Sequence, residues 1–164
     1  MRIICNTSPL IGLMKINRID LLFEIFDEVI IPKAVYDELC KNENSHRQEA
    51  ETIKSLVANG KLTVYNVANE IAVRTMFGKL HYGELEVIVG AKELNLDFAV
   101  IDEKAARKTA SAFLIKTIGI LGILLLAKEK KILPLIKPEI DKLRGTGYRI
   151  SENLYERILH DAGE

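Results

Sequence analysis

Short apolar runs alternate with stretches of helical periodicity along this chain of 164 residues, and this alternation constrains the fold more than any other feature. Residues 98–101 are four apolar residues in a row, which is typical of a strand covered on both faces. Arg2–Cys5 leads directly into a helical pattern, and Pro32 closes a third apolar run. The alternation predicts a three-layer α/β/α fold, in which helices cover both faces of a central, mainly parallel sheet.

The local patterns also predict where the elements begin and end. The first helix is expected to start at Ser8 and Pro9, because serine is a good N-cap and proline suits the first helical position. Strands are predicted at residues 2–5, 28–31, 62–67, 97–101 and 115–118. Helices are predicted after Pro32, from Gly83 and before Gly145, and at residues 20–26, 44–59, 69–77, 103–112, 121–130 and 151–162.

Length and composition indicate one domain spanning residues 1–164. Lys and Arg number 23, as do Asp and Glu, so net charge alone gives no reason to bind nucleic acid, and such binding requires a local basic patch. The most apolar stretch, residues 118–127, is about half the length of a membrane span. We therefore expect a cytoplasmic protein that does not cross a membrane.

Polar residues stand where the predicted strands and helices meet. Asn6 follows the first strand and Asp102 follows the strand at residues 97–101, so both belong at the carboxyl edge of the sheet, where α/β proteins bind ligands. Glu84 begins a deeply buried helix, and Glu38 lies late in another. Converging carboxylates would bind a hard cation such as Mg²⁺ or Mn²⁺ and support phosphodiester hydrolysis. From spacing alone, a second interpretation stays open, in which these acids only cap and flank helices.

Taken in order, these segments resemble the PIN domain, and most closely the PIN-like group related to VapC-type toxins. The resemblance covers essentially the whole chain. It rests on the segments Asn6-Thr7-Ser8-Pro9-Leu10-Ile11, Val29-Ile30-Ile31-Pro32 with Val35 and Glu38, Gly83-Glu84 with Glu86 and Ala91, Val100-Ile101-Asp102-Glu103 with Ala106, Arg107 and Ala110, residues 117–127 with Gly119 and Gly122, Gly147-Tyr148-Arg149-Ile150-Ser151, and Ala162-Gly163-Glu164.

The resemblance implies a three-layer fold and a ribonuclease that depends on Mg²⁺ or Mn²⁺. It also implies an RNA substrate, a small antitoxin partner and a homodimer. Carried over by position, Glu38, Glu84 and Asp102 are the catalytic, metal-binding acids. The same carry-over gives supporting roles to Thr7, Ser8 and Glu103, and the two hydroxyls would flank the metal. Arg107 lies one helical turn beyond Asp102, so its spacing places it roughly facing that acid, where it would orient Asp102 or meet a phosphate.

Asn6 departs from the family pattern, which usually has aspartate at this position. An amide oxygen can ligate a hard cation, but it brings no negative charge, so metal affinity and water activation should both fall. Two functional interpretations follow. The first is a metal-dependent endoribonuclease in which Asn6 assists the three acids. The second is a degenerate PIN domain that binds nucleic acid or a protein partner without cleaving it.

Overall fold

The computed structural model describes all residues except 42–46, 77, 79 and 97, so the predicted boundaries at Asn44, Phe77 and Asp97 lie outside the described residues. Its centre is a parallel sheet of five strands in the order β3-β2-β1-β4-β5. The strands are β1 (Arg2–Cys5), β2 (Glu28–Pro32), β3 (Leu62–Tyr65), β4 (Phe98–Val100) and β5 (Lys116–Ile118).

Ten helices flank this sheet within the described part of the chain. They are α1 (Thr7–Lys15), α2 (Asp20–Ile25), α3 (Lys33–Lys41), α4 (Arg47–Ala58), α5 (Glu70–Met76), α6 (Tyr82–Glu93), α7 (Lys104–Ala112), α8 (Ile120–Glu129), α9 (Lys137–Gly145) and α10 (Glu152–Ala162). Helix α6 packs on β1, β2 and β4 and contacts α7, whereas α8 packs with α1, α2 and α10. The predicted three-layer α/β/α fold is confirmed.

The order in which strands are added to the sheet reverses at its middle. The connections from β1 to β2 and β3 lead toward one edge, and the connections from β4 to β5 lead toward the other. Because such crossovers are right-handed, this reversal puts helices on both faces. The carboxyl ends of β1 and β4 lie at this switch point, which is where doubly wound sheets bind ligands. Asn6 and Asp102 follow these two strands.

The sheet is apolar because helices cover both of its faces. Ile3, Ile4 and Cys5 of the central strand β1 are completely buried. Burial raises the pKa of the Cys5 thiol, which therefore behaves as a small apolar side chain. None of the helices in the described residues combines the length and the hydrophobicity needed to cross a membrane.

The start of α1 was predicted wrongly. The helix begins at Thr7, and Asn6 rather than Ser8 stands at its N-cap position. The side chain of Asn6 does not cap the helix, because both Asn6 and Ser8 direct their polar groups to Glu103 instead. Ser8 therefore does not serve as an N-cap, because its hydroxyl binds Glu103, which is distant in sequence.

Glu164 joins three helices through one nearly buried carboxylate, whose side chain is 6% exposed. Its Oε1 accepts hydrogen bonds from Lys128 Nζ (2.6 Å) and from the backbone N–H of Ile136 (2.7 Å), and its Oε2 accepts one from the N–H of Lys137 (3.0 Å). Glu164 thereby satisfies free N–H groups at the start of α9. Burial opposes its charge, but the three donors prevail, and the pKa of Glu164 lies below its usual value.

Replacing Glu164 with glutamine should lower the free energy of unfolding at pH 7 by about 1–3 kcal/mol, because its three donors then face an uncharged amide. A carboxylate with a depressed pKa stabilises the fold above its unfolded pKa and loses this effect as the pH falls through its folded pKa. The difference between wild type and Glu164→Gln should therefore disappear in acid. Urea unfolding at pH 7 and at about pH 3 measures it, with exposed Glu156→Gln as the control. Equal stability at pH 7 would contradict this role.

Candidate active site

Asn6 lies where β1 ends, at the switch point between β1 and β4. Its backbone N–H donates to Val100 O (3.0 Å), so the parallel ladder continues to this residue. The side chain is buried, with 4% of Asn6 exposed, and Nδ2 donates to Glu103 Oε2 at 3.2 Å. The amide therefore neutralises no charge, but it holds an acid from the opposite half of the sheet beside β1.

The next two residues also bind acids that are distant in sequence. Thr7 Oγ1 donates to Glu38 Oε2 at 2.6 Å, and Ser8 Oγ donates to Glu103 Oε1. Glu38 comes from α3, and Glu103 stands at the N-cap position of α7 without capping that helix. The first turn of α1 thus gathers carboxylates from two separate elements at the carboxyl edge of the sheet.

Gly83 leaves a small space between two of these oxygen atoms. A Cβ added to Gly83 would lie 3.4 Å from Glu38 Oε2 and 3.6 Å from Asn6 Oδ1, and also 3.3 Å from Val35. Because glycine has no Cβ, Asn6 Oδ1 and Glu38 Oε2 border one unfilled space. These are two oxygen donors of the kind that hard cations prefer.

Glu84 follows Gly83 in the first turn of α6 and is 7% exposed. Its Oε2 accepts the backbone N–H of His81 (2.9 Å), so the side chain turns back to the start of its own helix, as in a capping box. The positive end of the helix dipole also favours a carboxylate here. Glu84 therefore already has a structural role, in addition to the metal-binding role expected from the sequence.

Asp102 follows β4 and has the one buried side-chain polar atom without a hydrogen-bond partner in the described part of the chain. Its Oδ1 accepts the N–H of Ile120 at 3.0 Å, whereas Oδ2 accepts nothing. Burial raises the pKa of Asp102 and outweighs the Ile120 hydrogen bond, which acts in the opposite direction; the nearby charge of Glu103 raises this pKa further. An ionised oxygen that is buried without a partner is costly to a protein that does not use it.

Gly119 makes room for Asp102 at the end of β5. A Cβ on Gly119 would overlap Asp102 Oδ1, and it would lie 3.6 Å from Arg107 Nη1. Arg107 Nε donates to Thr117 Oγ1 (3.2 Å), which keeps the guanidinium beside Asp102, and its positive charge lowers the pKa of that acid. The structure therefore places Arg107 near Asp102, as its helical spacing predicts.

Tyr148 also lies beside Asp102, although the sequence patterns did not indicate it as a site residue. It follows Gly147, whose φ of 88° permits the tight turn after α9. The Tyr148 hydroxyl favours the charged form of Asp102, although it does not have hydrogen-bond geometry to Oδ2. Burial and the charge of Asp102 raise the pKa of Tyr148, so it stays a neutral phenol. In the sequence it appears only as the pair Gly147-Tyr148, which by itself indicates neither catalysis nor binding.

The predicted site residues thus form two connected groups. One contains Asn6, Thr7, Ser8, Glu38 and Glu103, and the other contains Asp102 and Arg107, while Glu84 adjoins the first group through Gly83. Among the described residues, no three Asp, Glu, His or Cys side chains are arranged to hold a metal ion. The acids lie at one edge of the sheet, and most of their oxygen atoms bind protein donors.

The family model of the PIN domain matches residues 2–164, which is nearly the whole chain. The protein therefore belongs to the PIN-domain family, and its fold is that of a nuclease-type domain. Comparison with curated proteins and with solved structures gave no match.

Proposed function

We propose that this protein is a metal-dependent endoribonuclease of the VapC toxin type, which hydrolyses RNA phosphodiester bonds with Mg²⁺ or Mn²⁺. The observation that carries the proposal is Asp102 Oδ2, a buried carboxylate oxygen without a partner at the carboxyl edge of the central strands. PIN domains generally use divalent metal ions, and a cation is the natural partner for such an oxygen.

The oxygen donors of the site suit a hard cation in kind. Asp102 offers Oδ2, and Glu38 Oε2 and Asn6 Oδ1 border the space at Gly83. Glu84 adds a carboxylate next to that space. We propose that Glu38, Glu84 and Asp102 hold the cation with help from Asn6. For these acids to meet at one ion, Glu38 and Glu84 would have to move, because no three acids of the described residues are arranged to hold a metal.

The bound cation would lower the pKa of a water molecule and neutralise charge that develops on the phosphate. The remaining residues prepare the site for this chemistry. In the metal-free protein Ser8 and Asn6 hold Glu103 in place, and Thr7 holds Glu38 at the same edge of the sheet. Arg107 lies close enough to Asp102 to attract a phosphate to it.

A second candidate function is a degenerate PIN domain that binds RNA or a protein partner without cleavage. Asn6 is the observation that favours it. Its amide makes a hydrogen bond to Glu103 and so has a structural role that needs no metal. As part of the toxin assignment, we propose a small antitoxin partner and a homodimer in the cytoplasm. Size-exclusion chromatography, with and without the product of a neighbouring small gene, tests the partner and the dimer.

Replacing Glu84 with glutamine should weaken Mn²⁺ binding by about tenfold or more, because the site loses a charge. The amide oxygen can still accept the His81 N–H, so the start of α6 should remain folded. Electron paramagnetic resonance of free Mn²⁺ measures binding, and a labelled single-stranded RNA measures cleavage. Exposed Glu156→Gln serves as the control.

Wild type that binds Mn²⁺ at millimolar concentration and cleaves RNA only with the metal supports the ribonuclease. If wild type binds no metal but Asn6→Asp does, the non-cleaving function gains support. If neither protein binds Mn²⁺, the ribonuclease proposal fails.

A further inference from the structure

A groove of about 330 Å³ extends away from the candidate site along one side of α1. Ser8, Ile11 and Lys15 of α1 line one wall, and Gly147 and Tyr148 line the other. From Ser8 to Lys15 the helix rises about 10 Å, which is two turns, so these residues share a helix face. One end of the groove is therefore Ser8, which binds Glu103, and the other end is a lysine.

Tyr148 gives this groove an aromatic wall next to the acids. The residue is half-buried, its hydroxyl is beside Asp102, and its side chain contributes to the groove lining. Tyrosine rings stack on unpaired RNA bases, whichever base is presented. A base in this groove would lie next to the acids that are proposed to hold the metal.

Lys15 supplies positive charge at the far end. It lies exposed in the last turn of α1, and no ion pair to it is formed within the described residues. The chain as a whole has no net charge, so attraction of a phosphate requires local positive charge. The Lys15 ammonium supplies such a charge at the end of the groove. The groove thus presents three groups: the hydroxyl of Ser8, which binds Glu103, the aromatic ring of Tyr148 and the ammonium of Lys15.

We propose that this groove holds an unpaired nucleotide of the RNA strand adjacent to the phosphate that is cleaved, with its base on Tyr148 and a phosphate at Lys15. The inference rests on the proposed ribonuclease function and deepens it, because it names the side chains that would hold the nucleotide next to the cleaved phosphate. Duplex RNA does not fit, because its bases are paired and stacked on one another.

Fluorescence anisotropy of a labelled single-stranded RNA, with Ca²⁺ in place of Mg²⁺ to prevent cleavage, tests the groove. Tyr148→Leu should raise the Kd about tenfold, whereas Tyr148→Phe should stay within about twofold of wild type, because stacking needs the ring and not the hydroxyl. Lys15→Gln should also weaken binding, and it should make the dependence of log Kd on log salt shallower by about 0.7. Lys92→Gln is the matched control, since Lys92 is exposed in the last turn of α6.

Equal Kd values for wild type, Tyr148→Leu and Lys15→Gln would overturn the proposal that the groove binds a nucleotide. The proposal also fails if the wild-type protein binds no single-stranded RNA. A loss in Tyr148→Phe as large as in Tyr148→Leu would also overturn it, because the hydroxyl beside Asp102 would then carry the effect. The Mn²⁺ titration of wild type is a separate measurement. If the protein binds Mn²⁺ and cleaves RNA, but Tyr148→Leu does not change its affinity for RNA, the groove proposal fails and the ribonuclease proposal stands.

Discussion

Replacing Asp102 with asparagine is expected to abolish RNA cleavage while making the metal-free protein more stable. The loss of activity should be about a hundredfold or more, because charge stabilisation by a metal is worth several kcal/mol. The gain in stability follows from burial, which raises the pKa of Asp102 and so opposes its charged form. An acid with a raised pKa stabilises the fold least at neutral pH, where it is ionised. The asparagine oxygen can still accept the Ile120 N–H.

The size of the stability gain should be about 1 kcal/mol, or roughly 2–4 °C in Tm for a chain of this length. Thermal unfolding in EDTA and RNA cleavage in Mn²⁺ measure the two effects. Asp161→Asn, an exposed substitution on α10, is the control for both. A purely structural Asp102 would give the opposite result for stability: Asp102→Asn would unfold at a lower temperature. That outcome would remove the functional reading of the unpaired oxygen.

Replacing Asn6 with aspartate should have effects of opposite sign with and without metal. In EDTA the new carboxylate faces Glu103 where an N–H···O hydrogen bond of 3.2 Å now exists, so a favourable contact becomes a repulsion between a buried charge and a partly buried one. The free energy of unfolding should fall by about 1–3 kcal/mol. With saturating Mn²⁺ the added charge becomes a ligand, and the affinity for Mn²⁺ should rise about tenfold.

The decisive measurement is the increase in Tm that Mn²⁺ produces, which follows from the metal affinity of the folded state. Asn6→Asp should show a larger increase than wild type, although it starts from a lower Tm. Asn6→Ser is a useful companion, because it removes the amide without adding charge. If Asn6→Asp is destabilised equally with and without Mn²⁺, the space at Gly83 does not accept a cation, and Asn6 has only its structural role.

The sequence predicted the architecture well because burial dictates it. A run such as residues 98–101 must be covered on both faces, and five runs separated by helical patterns leave few alternatives to a parallel sheet with helices on both sides. The positions of Asn6 and Asp102 followed from the same reasoning, since parallel strands end at a common edge. Local patterns were less reliable at Ser8, where a contact 95 residues away replaced the expected cap.

The interactions of the site were beyond sequence reasoning, since they depend on side chains brought together by the fold. The bond between Thr7 and Glu38 joins α1 to α3, and Tyr148 reaches Asp102 from the turn after α9. The Glu84 carboxylate had an obvious local partner in its own helix start, yet spacing alone could not say whether it would take that partner. The need for glycine at residues 83 and 119 likewise appears only when their neighbours are in place.

The change in strand order between β1 and β4 also affects how the candidate site depends on the integrity of the fold. Asn6 and Glu38 belong to the half of the sheet that contains β1, β2 and β3, whereas Asp102 follows β4 in the other half. The two halves pair through β1 and β4, and α6, which carries Glu84, packs on strands of both. A partly unfolded form that keeps one half cannot keep the site. We therefore expect a bound cation to slow amide hydrogen exchange in both halves together. The ion would stabilise the two halves as one cooperative unit, in addition to its part in the reaction.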